Sequence, residues 1–423
     1  MKPTEKTKKN SSKVSSRLSL GERVPKLRFP GFEGEWEKRD LKDCLSVCCK
    51  RNKQRFTKDE VLSVSGEYGI VNQIEFQGRS FAGESITNYK VVLPGLIVYT
   101  KSPLRDAPYG IVKASRIATG IVSPLYGVYI ANEGIKPCFI EAYFANALRR
   151  NRYFKPLVNL GPKHTMCISD DGALGGTIVL PGKEEQSKIC DLLAALDSRI
   201  AAQRKLVDLL KKYKRGVIAQ IFRQHLGLGK NSEKWKVVEL RNLFSKVVRR
   251  NKDGWVKNVI TNSAEFGLIP QRDFFDKSIA VEGNTNGYYI IHRGDFVYNP
   301  RKSTAAPFGP FNRYTGSEDG IISPLYTCLV SNEKANPEYL AWYFRSTAWH
   351  RYVYDNGSQG ARHDRVNMTD DLLFGIPVLL PPIAVQEKIA KCLNAIDTRW
   401  SSANKVLAYL EYMKRGLLQQ LFV

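Results

Sequence analysis

The stretch ATGIVSPLYGVYI, beginning at Ala118, returns as EDGIISPLYTCLV from Glu318, 200 residues later. Repeats of about 20–50 residues build solenoids, whereas a spacing this large is the size of a whole domain. The register holds well beyond that strand. Trp36, Leu41, Ser46, Arg51, Asn52 and Lys53 meet Trp235, Leu240, Ser245, Arg250, Asn251 and Lys252 at an offset of 199. Gly95 and Tyr99 meet Gly294 and Tyr298, and Ala107-Pro108-Tyr109-Gly110 meets Ala306-Pro307-Phe308-Gly309. Tyr143-Phe144, Asp170-Asp171, Gln186, Asp197, Lys214, Arg215, Gly216 and Phe222 all recur 200 later. Chance does not keep one register over so many positions. The chain is two copies of one unit.

Each copy changes texture partway. Its first part alternates short β-branched and aromatic runs with Gly, Pro and Asn, and LIVYTK and YGVYIA read as strands. One helix is expected among them, from Pro137 through FIEAYFANALRRNRYF, with its counterpart from Pro337. From Lys183 the punctuation stops. Ile189, Leu193, Leu196, Ile200, Gln203, Val207, Leu210, Lys214, Val217 and Ile221 step by alternating fours and threes, as do Ile389 through Leu421 in the second copy. That heptad spacing predicts a coiled-coil seam. Both copies interrupt it at the same places, Gln203/Ala403 and Lys214/Lys414. Matched interruptions favour helices that pair with each other over two helices packed separately on their own globules. The expected class is α+β: two tandem mixed α/β domains, each followed by a long helix, the helices pairing as an antiparallel coiled coil. The boundaries are a disordered basic tail (1–24), domain one (25–182), helix one (183–224), a linker (225–233), domain two (234–381) and helix two (382–423).

Charge narrows the function. With 65 Lys+Arg against 41 Asp+Glu, the net charge is +24. A balance that basic points to a polyanion, most often nucleic acid, although a merely solvating surface is the blander reading. No run is apolar enough to span a membrane. The eight cysteines form no Cys-x-x-Cys pair and the five histidines stand at no ligand spacing to them, so a zinc site is not expected and reduced thiols in a cytoplasmic protein fit best. LGLGK at Leu226 lacks the strand and the Ser/Thr of a phosphate loop and reads as a linker. Asn299-Pro300 lacks the rest of a methyltransferase signature. The paired aspartates at 170–171 and 370–371 read as caps of short helical turns rather than metal ligands. No catalytic constellation emerges.

Loops carry the better signal. Lys101, Ser102 and Arg105 follow one strand, and Arg301, Lys302 and Ser303 follow its counterpart. Lys163 and His164 match Arg362 and His363 as a second pair of basic loops, and Gln73 matches Gln271 and Arg272 as a third. Such residues suit phosphates and base edges. A solvated turn explains any single loop as well as a DNA contact does, and it is the paired recurrence of basic character that favours DNA. Scaffold positions agree between the copies while the loops differ, as expected of two heads that bind two different short sequences.

This architecture resembles the specificity subunit of type I restriction-modification systems. The resemblance rests on PKLRFPGFEGEW at Pro25, the paired SPLY strands, the helix starts KEEQSKICDLLAALDSRI and AVQEKIAKCLNAIDTRW, and the closing LKKYKRGVIAQIF and LEYMKRGLLQQLF. It implies a non-catalytic chain that reads a bipartite, asymmetric target in double-stranded DNA. It further implies assembly with two adenine-methylating modification subunits and with ATP-dependent restriction subunits. S-adenosylmethionine, ATP and magnesium would then belong to those partners and none to this chain. A stand-alone two-headed DNA-binding regulator is the alternative; it would need no large partner surface, yet the helices carry apolar residues off the seam, such as Leu192, Leu206, Leu209 and Phe222, that are expected to face a partner.

Paired helices of about 54 Å, at ~1.5 Å per residue, are expected to act as a ruler with a reading head at either end. Four residues inserted near Gln220 add about 6 Å and nearly one helical turn, or one to two base pairs of roughly 3.4 Å. Such a variant should direct methylation to the same two half-sites with that much more spacer. Two inserted residues, which turn the helix by about 200°, should abolish function. Mapping of methylated adenines reads both, and an unchanged spacer would refute the ruler.

Overall fold

The structure is a computed structural model that describes residues 23–104, 106–116, 118–160, 166–223, 235–273, 285–359 and 364–423. The expected linker at 225–233, and the expected tail up to residue 22, lie outside them. The chain forms two compact units. One extends to Gln203 and takes in Val406–Val423, and the other is Arg204–Lys405. Each therefore holds one mixed α/β globule and a part of both long helices.

In the first unit an antiparallel sheet runs in the order Leu45–Val47, Tyr126–Ala131, Ile97–Thr100, Val112–Ala114. Its central strand Ile97–Thr100 is buried at every position, which is why that segment reads as a continuous apolar run. Antiparallel pairs surround it: Leu62–Ser65 with Gly69–Asn72, Lys90–Val92 with Gly120–Val122, and Glu37–Asp40 with Thr177–Leu180. The second unit repeats this topology strand for strand. Its sheet order is Phe244–Lys246, Thr327–Ser331, Phe296–Tyr298, Phe311–Arg313. The duplication in the sequence is a duplication of fold.

The single helix expected from Pro137 is two helices, Pro137–Ala145 and Ala147–Phe154. Asn146 leaves helical geometry with ψ 122°, and its Oδ1 accepts the Arg149 N–H at 3.0 Å, capping the second piece. The second copy breaks between Pro337–Arg345 and His350–Asn356, where Ser346 Oγ donates to the Tyr343 carbonyl at 2.6 Å. The break lets both pieces bury aromatic side chains. Tyr99 stacks on Phe154 at 4.4 Å in the first unit, and Phe311 on Phe344 at 4.0 Å in the second.

The long helices are Lys183–Phe222, of 40 residues, and Ile383–Gln420, of 38. Every seam position named above is buried or half-buried. In the first unit Leu196 and Ile200 pack with Leu407, Leu410 and Met413, while Ile189 and Leu193 share a core with Leu421 and Phe422. Rising numbers on one helix meet falling numbers on the other, so the pairing is antiparallel. The second unit agrees, with Val217 and Ile221 beside Ile389, Leu393 and Ile396. The interruptions at Lys214 and Lys414 have their explanation here. Lys214 Nζ meets Asp397 Oδ1 at 2.7 Å in one unit, and Lys414 pairs with Asp197 in the other. The buried glutamines Gln186 and Gln386 fix the helix starts, accepting the Lys136 N–H at 3.0 Å and the Asn336 N–H at 2.9 Å.

The reading of the cysteines as reduced is corrected at one pair. Cys138 and Cys190 are joined, with Cα atoms 5.9 Å apart. They stand 52 residues apart in sequence, and only the packing of Pro137–Ala145 on the long helix brings them together.

Gly110 and Gly309 occupy left-handed backbone, φ +76° and +83°, where a Cβ would lie 1.9 Å from the Thr100 carbonyl oxygen and 2.0 Å from that of Asn299. Gly216, inside a helix, has open space around it. Gly110→Ala should therefore destabilise the protein by at least ~1–3 kcal/mol, while Gly216→Ala should stabilise it by about 0.5–1 kcal/mol. Thermal denaturation checks the opposite signs, and shifts of one sign would contradict this reading of Gly110.

Candidate nucleic-acid interface

The loop after Ile97–Thr100 begins with Lys101 and turns tightly between Leu104 and Ala107, each N–H bonding the other's carbonyl at 3.0 Å. The loop after Phe296–Tyr298 makes the same turn between Ser303 and Ala306. The SPLY loop sits beside it, since the Lys101 N–H bonds the Leu125 carbonyl at 3.3 Å. Leu125 and its counterpart Leu325 are 64% and 59% exposed. Sequence periodicity gave no hint of them as surface residues, because they sit within strand-like apolar stretches.

The two basic loops use their charge differently. Lys101 Nζ lies 2.9 Å from Asp170 Oδ1, and the buried Lys90 pairs with the other oxygen of that carboxylate. Burial pushes the Asp170 carboxyl up, but the two ammonium groups outweigh it and hold its pKa below the usual range. Burial lowers Lys90 against the pull of the same aspartate. The expected capping role of the paired aspartates is thereby corrected. Ser169 Oγ and Thr369 Oγ1 accept the N–H groups of Gly172 and Leu372 at 2.9 and 3.3 Å, while Asp370 instead pairs with Lys246. The lysines reach the aspartates from strands and a loop distant in sequence, which no local pattern could reveal.

In the second unit Arg301 is 69% exposed on its side chain, with Nε 3.7 Å from Asp364 Oδ2. Ser303 is exposed and Lys302 half-buried, with the Lys302 N–H donating to the Asp364 carbonyl at 2.8 Å. Arg365, which the sequence did not single out, forms a β-bridge with Arg301. Burial raises the Tyr326 phenol, and the guanidinium groups of Arg301 and Arg365 pull it the other way.

Gln73 opens the short helix Gln73–Gln77, and both ends of its amide are engaged. Nε2 donates to Ser63 Oγ at 3.0 Å and Oε1 accepts the Phe81 N–H at 2.7 Å. Gln271 keeps the matching backbone bond, its N–H to the Val259 carbonyl at 2.8 Å, and Arg272 beside it is exposed. Ser102 is half-buried. Arg105, Lys163, His164, Arg362 and His363 lie outside the described residues. Aromatic groups add to the exposed surface: Arg79 stacks over Phe81 at 4.6 Å, and Trp255 is 85% exposed. Among the described residues no group of three or more His, Cys, Asp or Glu could hold a metal ion, and no helix is long and apolar enough to cross a membrane. Guanidinium forks, lysines and exposed rings can bind phosphates and stack on bases.

No family model matches the chain. It is 23% identical over 433 aligned positions, covering 92% of each protein, to a chain of Methanocaldococcus jannaschii named for the type I restriction enzyme MjaX specificity subunit. The chain is a relative of type I specificity subunits. It is also 22% identical over 264 positions, 58% of this chain and 56% of the other, to the StySPI specificity subunit of Salmonella potsdam. Its fold matches the crystal structure of the type I S subunit from M. genitalium, with a TM-score of 0.55 at 12% identity, over 95% of this chain and 99% of that one. The resemblance read from paired SPLY strands and paired helices is the one these specificity subunits bear out.

Replacing Asp170 with Asn should leave Lys90 buried and uncompensated, at a cost of about 3 kcal/mol. Asp370→Asn removes only an exposed partner of Lys246 and should cost within about 1 kcal/mol. Because the Asp170 pKa is depressed, its contribution is full above the unfolded value, about 4, and disappears as pH falls through the lower folded value. Denaturant titrations from pH 7 to 3 check both statements, and equal losses in the two variants would refute the first.

Proposed function

We propose that this chain is the DNA-recognition subunit of a type I restriction-modification complex in the cytoplasm. Each globule reads one short half of a bipartite, asymmetric target in double-stranded DNA, and the bases between the halves go unread. The similarity to the MjaX specificity subunit along 92% of the chain carries this reading. The duplicated scaffold supports it, since one set of strands presents two different sets of loops. The chain itself is non-catalytic. Two modification subunits bring S-adenosylmethionine and methylate adenine, and restriction subunits bring ATP and magnesium.

Partner binding has a physical basis in the long helices. Leu206, Leu209 and Tyr213 in one unit, and Val406, Tyr409 and Tyr412 in the other, are exposed off the seam. Of the off-seam apolar residues expected to face a partner, Leu192 and Phe222 are instead packed into cores. Leu206 and Leu209 keep that role. Exposed apolar stripes on helices suit a protein partner.

Purified alone, the chain should bind duplex DNA with log K falling by about 0.9 per neutralised phosphate per log unit of salt, and should neither methylate nor cleave it. Tagged in its native cell, it should capture an adenine methyltransferase, and Leu209→Lys with Tyr409→Lys should abolish capture while sparing DNA binding. Retention of DNA binding with no methyltransferase captured by the unaltered chain would favour the stand-alone regulator.

A further inference from the structure

Pro300–Lys302 lies against Asp364–Val366 as a short antiparallel ladder in the second unit. The Lys302 N–H donates to the Asp364 carbonyl at 2.8 Å and the Val366 N–H to the Pro300 carbonyl at 2.9 Å. These bonds flank Arg301 and Arg365 without joining them, so the two bridged arginines form a non-hydrogen-bonded pair. That is the closer of the two antiparallel pairings, with Cα atoms about 4.5 Å apart and both side chains on one face. Like charges so placed repel, and arginine does not relieve the repulsion by losing its proton. Asp364 offers little compensation, because its carboxylate is 50% exposed and 3.7 Å from Arg301 Nε. Among the described residues Arg365 has no ion pair. Two guanidinium forks carried on one face can offer donors to the two free oxygens of a single phosphodiester.

We infer that Arg301 and Arg365 form a clamp for one backbone phosphate of the bound DNA, which sets the register of the second recognition unit and does not read a base. The inference rests on the proposal that the chain binds DNA. The first copy carries Ser102 and Thr165 at the matching sequence positions, so the clamp belongs to the second half-site.

The pair gives a two-signed signature. Without ligand, Arg365→Gln relieves repulsion and should leave the melting temperature equal or higher. With duplex DNA the same variant should lose about ten- to hundred-fold in affinity, equally on target and scrambled sequences, and the salt slope should fall by about one. The methylated sequence should not change. Inorganic phosphate should raise the melting temperature of the unaltered protein and not of Arg365→Gln or Arg301→Gln. A loss confined to one target base pair, unchanged DNA affinity, or equal phosphate stabilisation of all three proteins would overturn the clamp. Phosphate stabilisation that depends on both arginines, in a chain that binds no DNA, would uphold the phosphate site and overturn the DNA-recognition reading instead.

Discussion

Two lysine–aspartate pairs fix how the long helices meet. An apolar heptad seam tolerates sliding by a heptad, because one layer of leucine resembles the next. Lys214 and Lys414 remove that freedom. Lys214, 16% exposed, meets Asp397 and lies over the Trp400 ring at 4.1 Å, while Lys414 meets Asp197. Shifted by seven residues, Lys214 would stand opposite Ala390 or Asn404 and Lys414 opposite Cys190 or Arg204, so both half-buried pairs would lose their countercharge. Duplication makes the device self-completing. A Lys and an Asp spaced 17 positions apart in each copy, 197 to 214 and 397 to 414, find each other twice when the copies run antiparallel.

Much else follows from that register. Phe222, at the end of the first helix, packs against Tyr339 and Tyr343 at 5.7 and 5.5 Å, and Phe422 meets Trp36 and Phe139 at 6.2 and 5.2 Å. Each aromatic core is thus closed by the end of the helix that begins on the other copy. At the junction of globule and helix the two copies solve one problem with different chemistry. The first has the Cys138–Cys190 bond. The second uses Asn394, which accepts from Trp342 Nε1 at 2.8 Å and donates to Glu338 at 2.6 Å. Rigid junctions are what allow loops to differ without moving the strands that carry them.

The sequence made legible what repeats and what is periodic. The seam, the buried strand Ile97–Thr100 and the family resemblance were all readable because they depend on local pattern or on comparison of the chain with itself. The break at Asn146 was not, since a helix of apolar residues continues on paper until an asparagine side chain captures the next N–H. Gln73 has the chemistry to read a base, but its amide is engaged by Ser63 and the Phe81 N–H, groups whose approach depends on a hairpin and a returning loop. Lys101 read as a free cation until Asp170 arrived from 69 residues away. Arg365 is one residue in an unremarkable segment until the ladder places it opposite Arg301.

These cases share a physical cause, and it separates the two loops that matched by sequence. A lysine on the first loop is neutralised within the fold, in a half-buried cluster where it shares the Asp170 carboxylate with Lys90. An arginine on the second is left exposed and set against another arginine, with a weak aspartate contact for relief. The first arrangement stabilises the protein in the absence of any ligand. The second leaves a repulsion that the Asp364 contact offsets only in part, and under the proposed clamp its relief comes on binding rather than on folding. A chain of net charge +24 does not distribute that charge evenly over function. In the first loop the fold itself uses the cation, whereas in the second it leaves an exposed arginine bridged to another.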